Sequence, residues 1–315
     1  MKILIIRNPQ NDPHAPNYPN GLKGGACYQS DMLLHGLRQR FGDEVVEVER
    51  SWWMYSEDFG PGKLSEDVHK GFTIYRTLGD DSGVDRTDID SKIVNHYFDV
   101  VIFGYVHYGI NPYFWNLVKN HYQSNEILYI DGDDKWSAVR HDLSKECVYF
   151  KRELFEPSDN LFPISFAMPD EKIDTVPNDN KTCIVSHMDP RDKSTYIYTT
   201  EPSYYQQYAD GLFGITMKKG GWDCMRHYEI LANNSIPLFL DIEQCPSPSV
   251  MHTLPKDQLV KVIELIRANG IDWFATSDGF DCWQEINDKV QTHFKQYCTT
   301  SALADYVLDT VRKLK

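Results

Sequence analysis

"GLFGITMKKGGWDCMRHYEILANNSIPLFLD" (residues 211–241) holds a complete strand–loop–helix–strand unit in one run. The apolar "GLFGITM" (211–217) reads as a buried strand. A helix opens near Trp222, and "IPLFLD" (236–241) reads as the next strand. Strands separated by helical patterns imply a parallel α/β sheet. The connection carries Lys218, Lys219, Gly220 and Gly221, then Asp223, Arg226 and Glu229 in the first helical turns. Charges of both signs at one helix entrance need a reason.

Upstream the same alternation recurs. "KILII" (2–6), "EVVEV" (44–48), "FDVVIFGYV" (98–106), "EILYIDGDD" (126–134) and "LFPISFAMP" (161–169) read as strands, with a helix over about 28–41. "PDEKIDTVPNDN" (169–180) is polar, carries two prolines and reads as a linker. After it the pattern restarts at "KTCIVSH" (181–187). "PKDQLVKVIELIRANG" (255–270) is a helix closed by Gly270, and the tail from about 280 to 315 reads as two more. The expectation is α/β throughout: one domain over 1–172, a second over 173–315, and a helical tail. Ligands of open α/β sheets bind beyond the carboxyl ends of the strands, which makes the loops after 6, 103, 131, 187 and 217 the places to look.

Composition narrows the partners. The formal net charge of −14 disfavours nucleic-acid backbones and anionic membranes, and 25% charged residues is ordinary for a soluble chain. No apolar run approaches the roughly 20 residues of a membrane helix. "MKILII" breaks at Arg7 and Asn8, so it reads as a first strand rather than a signal peptide, and a cytoplasmic protein is expected. The seven cysteines form no CxxC pair, which points to reduced thiols and against structural zinc.

Gly220 and Gly221 let backbone approach a ligand, and the first free N–H groups of the following helix point at it. Lys218, Lys219 and Arg226 add positive charge, while Arg226 and Glu229, three apart, share a helix face. A guanidinium suits phosphate and a carboxylate suits ribose hydroxyls, so a nucleotide would account for both signs. The competing reading makes Asp223 an N-cap and Arg226–Glu229 a solvated ion pair. Neither a GxGxxG nor a P-loop occurs, and no nucleophile elbow, HExxH or kinase set supports a hydrolase or kinase.

The run 211–246, with its R-x-x-E helix and "SIPLFLD", resembles the donor-site segment of GT-B glycosyltransferases, the exostosin-like group in particular. Phage DNA β-glucosyltransferases show a similar R-x-x-E helix. The resemblance implies two Rossmann-like domains facing a cleft and a C-terminal helix that crosses back. It implies a nucleoside-diphosphate-sugar donor, a glycan or other hydroxyl acceptor, and no required cofactor or metal. Glu229 would hold the ribose, and Arg226 with Lys218 or Lys219 the diphosphate.

"YIDGDDKW" (129–136) places Asp131, Asp133 and Asp134 after a strand. They read as a turn, as a catalytic base, or as a Mn²⁺-binding Asp-x-Asp of the GT-A kind. By the phage resemblance Asp131 or Asp133 would be the base. For the acceptor, Asp12 and His14 lie in the long loop 8–29, and His107 and Tyr108 in the aromatic run 105–115. Tyr204, Tyr205 and Glu201 could hold the donor base or sugar. Three rivals remain: a Mn²⁺-dependent GT-A-like transferase using Asp131 and Asp133, a DNA-base glycosyltransferase, and a nucleotide- or glycan-binding module without turnover. Net charge argues against DNA, since Lys63, Lys70 and Arg76 offer only a sparse basic strip.

Overall fold

All strands of both sheets pair in parallel. The computed structural model describes residues 1–7, 27–55, 73–104, 110–176 and 180–314. Asp12, His14, His107, Tyr108, Lys63 and Lys70 lie outside the described residues.

The first sheet has six strands: β1 (Ile3–Ile6), β2 (Val45–Glu47), β3 (Val100–Gly104), β4 (Ile127–Asp131), β5 (Val148–Lys151) and β6 (Leu161–Pro163). Their order is β2-β1-β3-β4-β5-β6. Alternate residues serve opposite faces, as the two-residue period of a strand demands. Ile3, Ile5, Ile102 and Leu128 join a core with helix α1 (Tyr28–Phe41), and Leu4, Ile6, Val101 and Tyr129 join a separate one. That second core is closed by α2 (Ile89–Val94) and α3 (Pro112–Lys119). With both faces covered, the strands are apolar almost without interruption, which is why the sequence shows them. β5 is the exception. It is four residues long and ends in Lys151, a charge that masks it, although that side chain is fully buried.

The second sheet has three strands, β7 (Cys183–Val185), β8 (Gly211–Thr216) and β9 (Ile236–Phe239), in the order β7-β8-β9. α4 (Glu201–Ala209) precedes β8, and α5 (Met225–Ala232) links β8 to β9 as the opening stretch predicts. Then come α6 (Lys256–Asn269), α7 (Ser277–Tyr297) and α8 (Thr300–Lys313).

α8 returns to the first sheet and packs on α1, where His35 Nδ1 meets Thr300 Oγ1 at 2.8 Å. Gly36 makes that approach possible, because a Cβ there would collide with the Thr300 carbonyl. The described part of the expected linker is anchored. Asp170 Oδ2 accepts the Ser301 N–H at 3.3 Å, and Lys172 pairs with Glu201 at 2.7 Å. One cluster of buried apolar residues runs from β1 through α1 and α8 to β8 and β9.

The strand order reverses direction between β1 and β3. In such sheets the crevice for a ligand opens at the carboxyl ends beside that point, and α1 begins there.

Candidate functional site

A cavity of about 310 Å³ opens where the carboxyl ends of β4 and β5 and the start of α1 face the loop from β8 into α5. Cys27 and Gln29 line it from α1, Gly132, Asp134 and Arg152 from the strand ends, and Lys219 to Gly221 with Asp223 from the loop. Four residues of the expected cradle, Lys219, Gly220, Gly221 and Asp223, thus border one cavity.

Its floor is a closed ionic seam. Arg152, 3% exposed, donates through Nε and Nη2 to Gly132 O at 2.9 and 2.8 Å, through Nη1 to Asp223 O, and pairs with Asp134. Glu153 accepts the Asp223 N–H at 2.8 Å. Asp223 Oδ2 in turn accepts the Phe166 N–H at 2.7 Å, and Tyr228 donates to its Oδ1 at 2.9 Å. Burial raises the Asp223 pKa and Arg152 opposes the shift. Asp223 therefore joins the two sheets, and Cys224, whose side chain makes no capping bond, occupies the N-cap of α5. The geometry costs backbone strain, since Glu153 sits at φ 58°, a left-handed conformation that side chains rarely adopt. Gly221 is required beside it: a Cβ would come within 2.5 Å of Glu153 Oε1 and 3.0 Å of Arg152 Nη1.

The side of the cavity at Lys219, its mouth, is different, with Arg226 and Tyr196 behind that lysine rather than in the lining. Lys219 Nζ and Arg226 Nη2 both donate to the hydroxyl of Tyr196, at 3.3 and 2.9 Å. Lys219 also reaches Pro190 O at 3.2 Å, and the Arg226 guanidinium lies 5.5 Å from the Tyr196 ring centroid. Neither cation forms a salt bridge with a carboxylate among the described residues, although the Arg226 charge favours the ionised forms of Glu229 and Asp189 nearby, and Arg226 Nε is buried without an acceptor. Burial works against the charge on Arg226, but the phenols of Tyr208, Tyr204 and Tyr196 outweigh it and raise its pKa. Two held cations meet on one neutral oxygen. Lys218 stands apart, its N–H donating to Asp241 at 3.2 Å and its ammonium 5.9 Å from the Trp222 ring centroid.

Glu229 is on the same helix face as Arg226 but deeper, at 5% exposure. Thr73 donates to its Oε1 at 2.5 Å and Tyr204 to its Oε2 at 2.6 Å. Burial raises its pKa, opposed by those two bonds. A ribose at Glu229 would have to take the place of Thr73 or Tyr204. Beside it His227 is neutral, its pKa lowered by burial. Its Nε2–H donates to Trp222 O at 2.8 Å, so Nδ1 accepts from Thr216 at 2.9 Å and braces the loop.

The strand-end aspartates separate. Asp131 is buried, accepting from Tyr149, from Lys151 Nζ at 3.2 Å and from the Asp133 N–H at 2.9 Å. Asp133 Oδ1 accepts the Lys135 N–H at 2.8 Å. These two shape the turn, and Asp134 is the one that borders the cavity. Among the described residues no three His, Cys, Asp or Glu side chains gather as a metal site.

Sequence reasoning passed over Arg152, Glu153, Tyr196 and Thr73. The one local hint is the "KRE" at 151–153, three charges closing an apolar segment. A second recess of about 970 Å³ lies beside the start of α8, lined among others by Arg40, Asp170, His252 and Lys295. Its cations are already matched, Arg40 by Asp305 and Lys295 by Asp174. No helix among the described residues is long and apolar enough to cross a membrane. No protein-family model matches the chain, and no curated protein matches it in sequence.

Proposed function

We propose that this protein is a GT-B-type glycosyltransferase that moves a sugar from a nucleoside-diphosphate donor to an acceptor hydroxyl. The observation that carries the reading is the pair Lys219 and Arg226, which converge on Tyr196 beside the cavity that Lys219 lines and form no salt bridge with a carboxylate among the described residues. A diphosphate supplies a counter-charge, and Tyr196 Oη stands where one of its oxygens would sit. The two parallel sheets, the cavity between their loops and the return of α8 to α1 are consistent with it.

In the proposed reaction the acceptor oxygen bonds to the anomeric carbon as the bond from that carbon to the diphosphate breaks. The diphosphate leaves with the electron pair, and Lys219 and Arg226 stabilise its developing charge. The acceptor proton passes to a carboxylate. Asp134 is the carboxylate we assign to that role: it borders the cavity and Arg152 engages only its Oδ1, leaving Oδ2 for the proton, whereas both oxygens of Asp131 are engaged by neighbours.

The test is thermal unfolding with a panel of nucleoside diphosphates, each in EDTA and in Mn²⁺. Ligand at about 100 times its Kd adds roughly 2.7 kcal/mol. Stabilisation by one nucleotide in EDTA is the expected result. Stabilisation only with Mn²⁺ would transfer the diphosphate to Asp131 and Asp133, and none at all would remove the nucleotide from the account.

A further inference from the structure

The recess of about 970 Å³ beside the start of α8 has about three times the volume of the 310 Å³ cavity, and the transfer proposed above leaves it unused. It opens where the last turn of α7, the first turns of α8, the end of α1 at Arg40 and residues 252–253 come together. Ligand sites usually span about 300–1,000 Å³, so this one has room for a chain of several rings.

Its charged groups close on one another. Arg40 pairs with Asp305 and Lys295 with Asp174. Asp170 Oδ2 accepts from the hydroxyls of Thr300 and Ser301, both at 3.0 Å, and from the Ser301 N–H, so the N-terminus of α8 already holds a carboxylate. What the lining leaves open is aromatic and neutral. Tyr297, at the end of α7, is 47% exposed, and the His293 ring lies 4.8 Å from its own. Tyr306 of α8 lies 4.9 Å from the ring of His252 and donates its hydroxyl to Pro163 O at 2.8 Å, which leaves its ring for contact. Thr253 O can only accept, so His293 Nε2, 2.8 Å away, carries a proton. His252 Nδ1 meets Ser165 Oγ at 2.9 Å, and its Nε2 is buried without a partner among the described residues. Burial and the charge of Lys256 lower the His252 pKa to about 4. The ring is therefore neutral at pH 7, and Nε2 donates or accepts according to the direction of the Ser165 hydroxyl.

We infer that this recess, with Tyr297, Tyr306, His252 and His293 in its walls, is a docking site for an uncharged oligosaccharide, separate from the cavity where transfer takes place. A pyranose offers a flat C–H face to an aromatic ring, and its hydroxyls donate and accept alike, which suits two His–Tyr pairs and an imidazole nitrogen of either polarity. An anion finds no unmatched cation here and no open helix end. A lipid tail is disfavoured by the four charged side chains in the walls, Arg40, Asp170, Lys295 and Asp305. The site does not depend on the transfer reaction, yet a three-residue bridge joins the two spaces. Ser165, fully buried, accepts Gln29 Nε2 on its carbonyl at 3.0 Å while its Oγ meets His252, and Gln29 lines the 310 Å³ cavity. The recess thus backs onto the cavity through Ser165.

Saturation-transfer NMR titration with linear tetrasaccharides of glucose, galactose, mannose and N-acetylglucosamine tests this, with a heparin tetrasaccharide as the anionic control. At least one neutral tetrasaccharide should bind, about tenfold more weakly after Tyr297→Ala. Tyr297→Phe, which keeps the ring, should restore binding and guards against a folding defect. Lys219→Ala should leave it unchanged, because Lys219 lines the cavity and not the recess. Failure of every neutral tetrasaccharide to bind, equal binding by Tyr297→Ala, tighter binding of the heparin fragment, or loss of binding in Lys219→Ala overturns the site. Nucleoside-diphosphate binding is measured separately, so either proposal can fail alone.

Discussion

The floor and the mouth of the cavity are built from the same residue types and do opposite things with them. At the floor, Arg152, Asp134, Glu153 and Asp223 close on one another and on backbone groups from both sheets. At the mouth, the exposed Lys219 and the half-buried Arg226 converge instead on a phenol that cannot neutralise them. A buried charge with all its partners is architecture, and one lacking its counter-charge is poised for a ligand. Charge content cannot distinguish the two; partner identity does.

Substitutions can break that contrast. Arg152→Ala should have the largest effect, about 3–5 kcal/mol of stability in urea unfolding, because it strips partners from buried Asp223 and from Gly132. A loss no larger than that of a surface change would mean the seam does not hold the sheets. The two glycines sharpen it further. Gly221→Ala should cost about 1–3 kcal/mol, since its Cβ meets groups fixed in the seam. Gly220→Ala should cost less, because the atom in its way is the carboxylate of Asp134, whose side chain is 50% exposed and can swing aside.

At the mouth the signature reverses. Lys219→Ala should weaken nucleoside-diphosphate binding about tenfold by calorimetry while changing stability by no more than about 0.5 kcal/mol. A further effect lies in pH, from the carboxyl of Glu49, two residues past β2. Its folded pKa, about 7, exceeds its ordinary value of 4.5, so between those values the native state binds the extra proton. Stability should therefore fall as pH rises from 4.5 to 7, and Glu49→Gln should flatten that slope. A steeper slope in the variant would place the titration elsewhere.

Local periodicity made most of the framework legible. β8, α5 and β9 stand where 211–241 predicts them, and the helices at 256–269 and 277–297 follow from their apolar spacing. β5 escaped because charged residues close on it from both sides, "SKE" at 144–146 and "KRE" at 151–153, leaving only a short apolar run between them. The site was legible only in part, for a different reason. Lys219 to Gly221 are adjacent in the chain, so their shared role is visible. Arg152 meets Asp223 across 71 residues and Thr73 meets Glu229 across 156, and no spacing rule links such pairs. Arg226 and Glu229 do share a face. What their spacing could not convey is that the deeper half of that face is packed under Tyr204 of α4.

The most direct test of the central claim is a crystal structure of the protein soaked with the best-binding nucleoside diphosphate in EDTA. The account predicts a diphosphate bound to Lys219 Nζ and the Arg226 guanidinium, Tyr196 displaced from between them, and the Arg152–Asp223 seam unchanged. A diphosphate bound elsewhere, with Tyr196 still holding both cations, would contradict it.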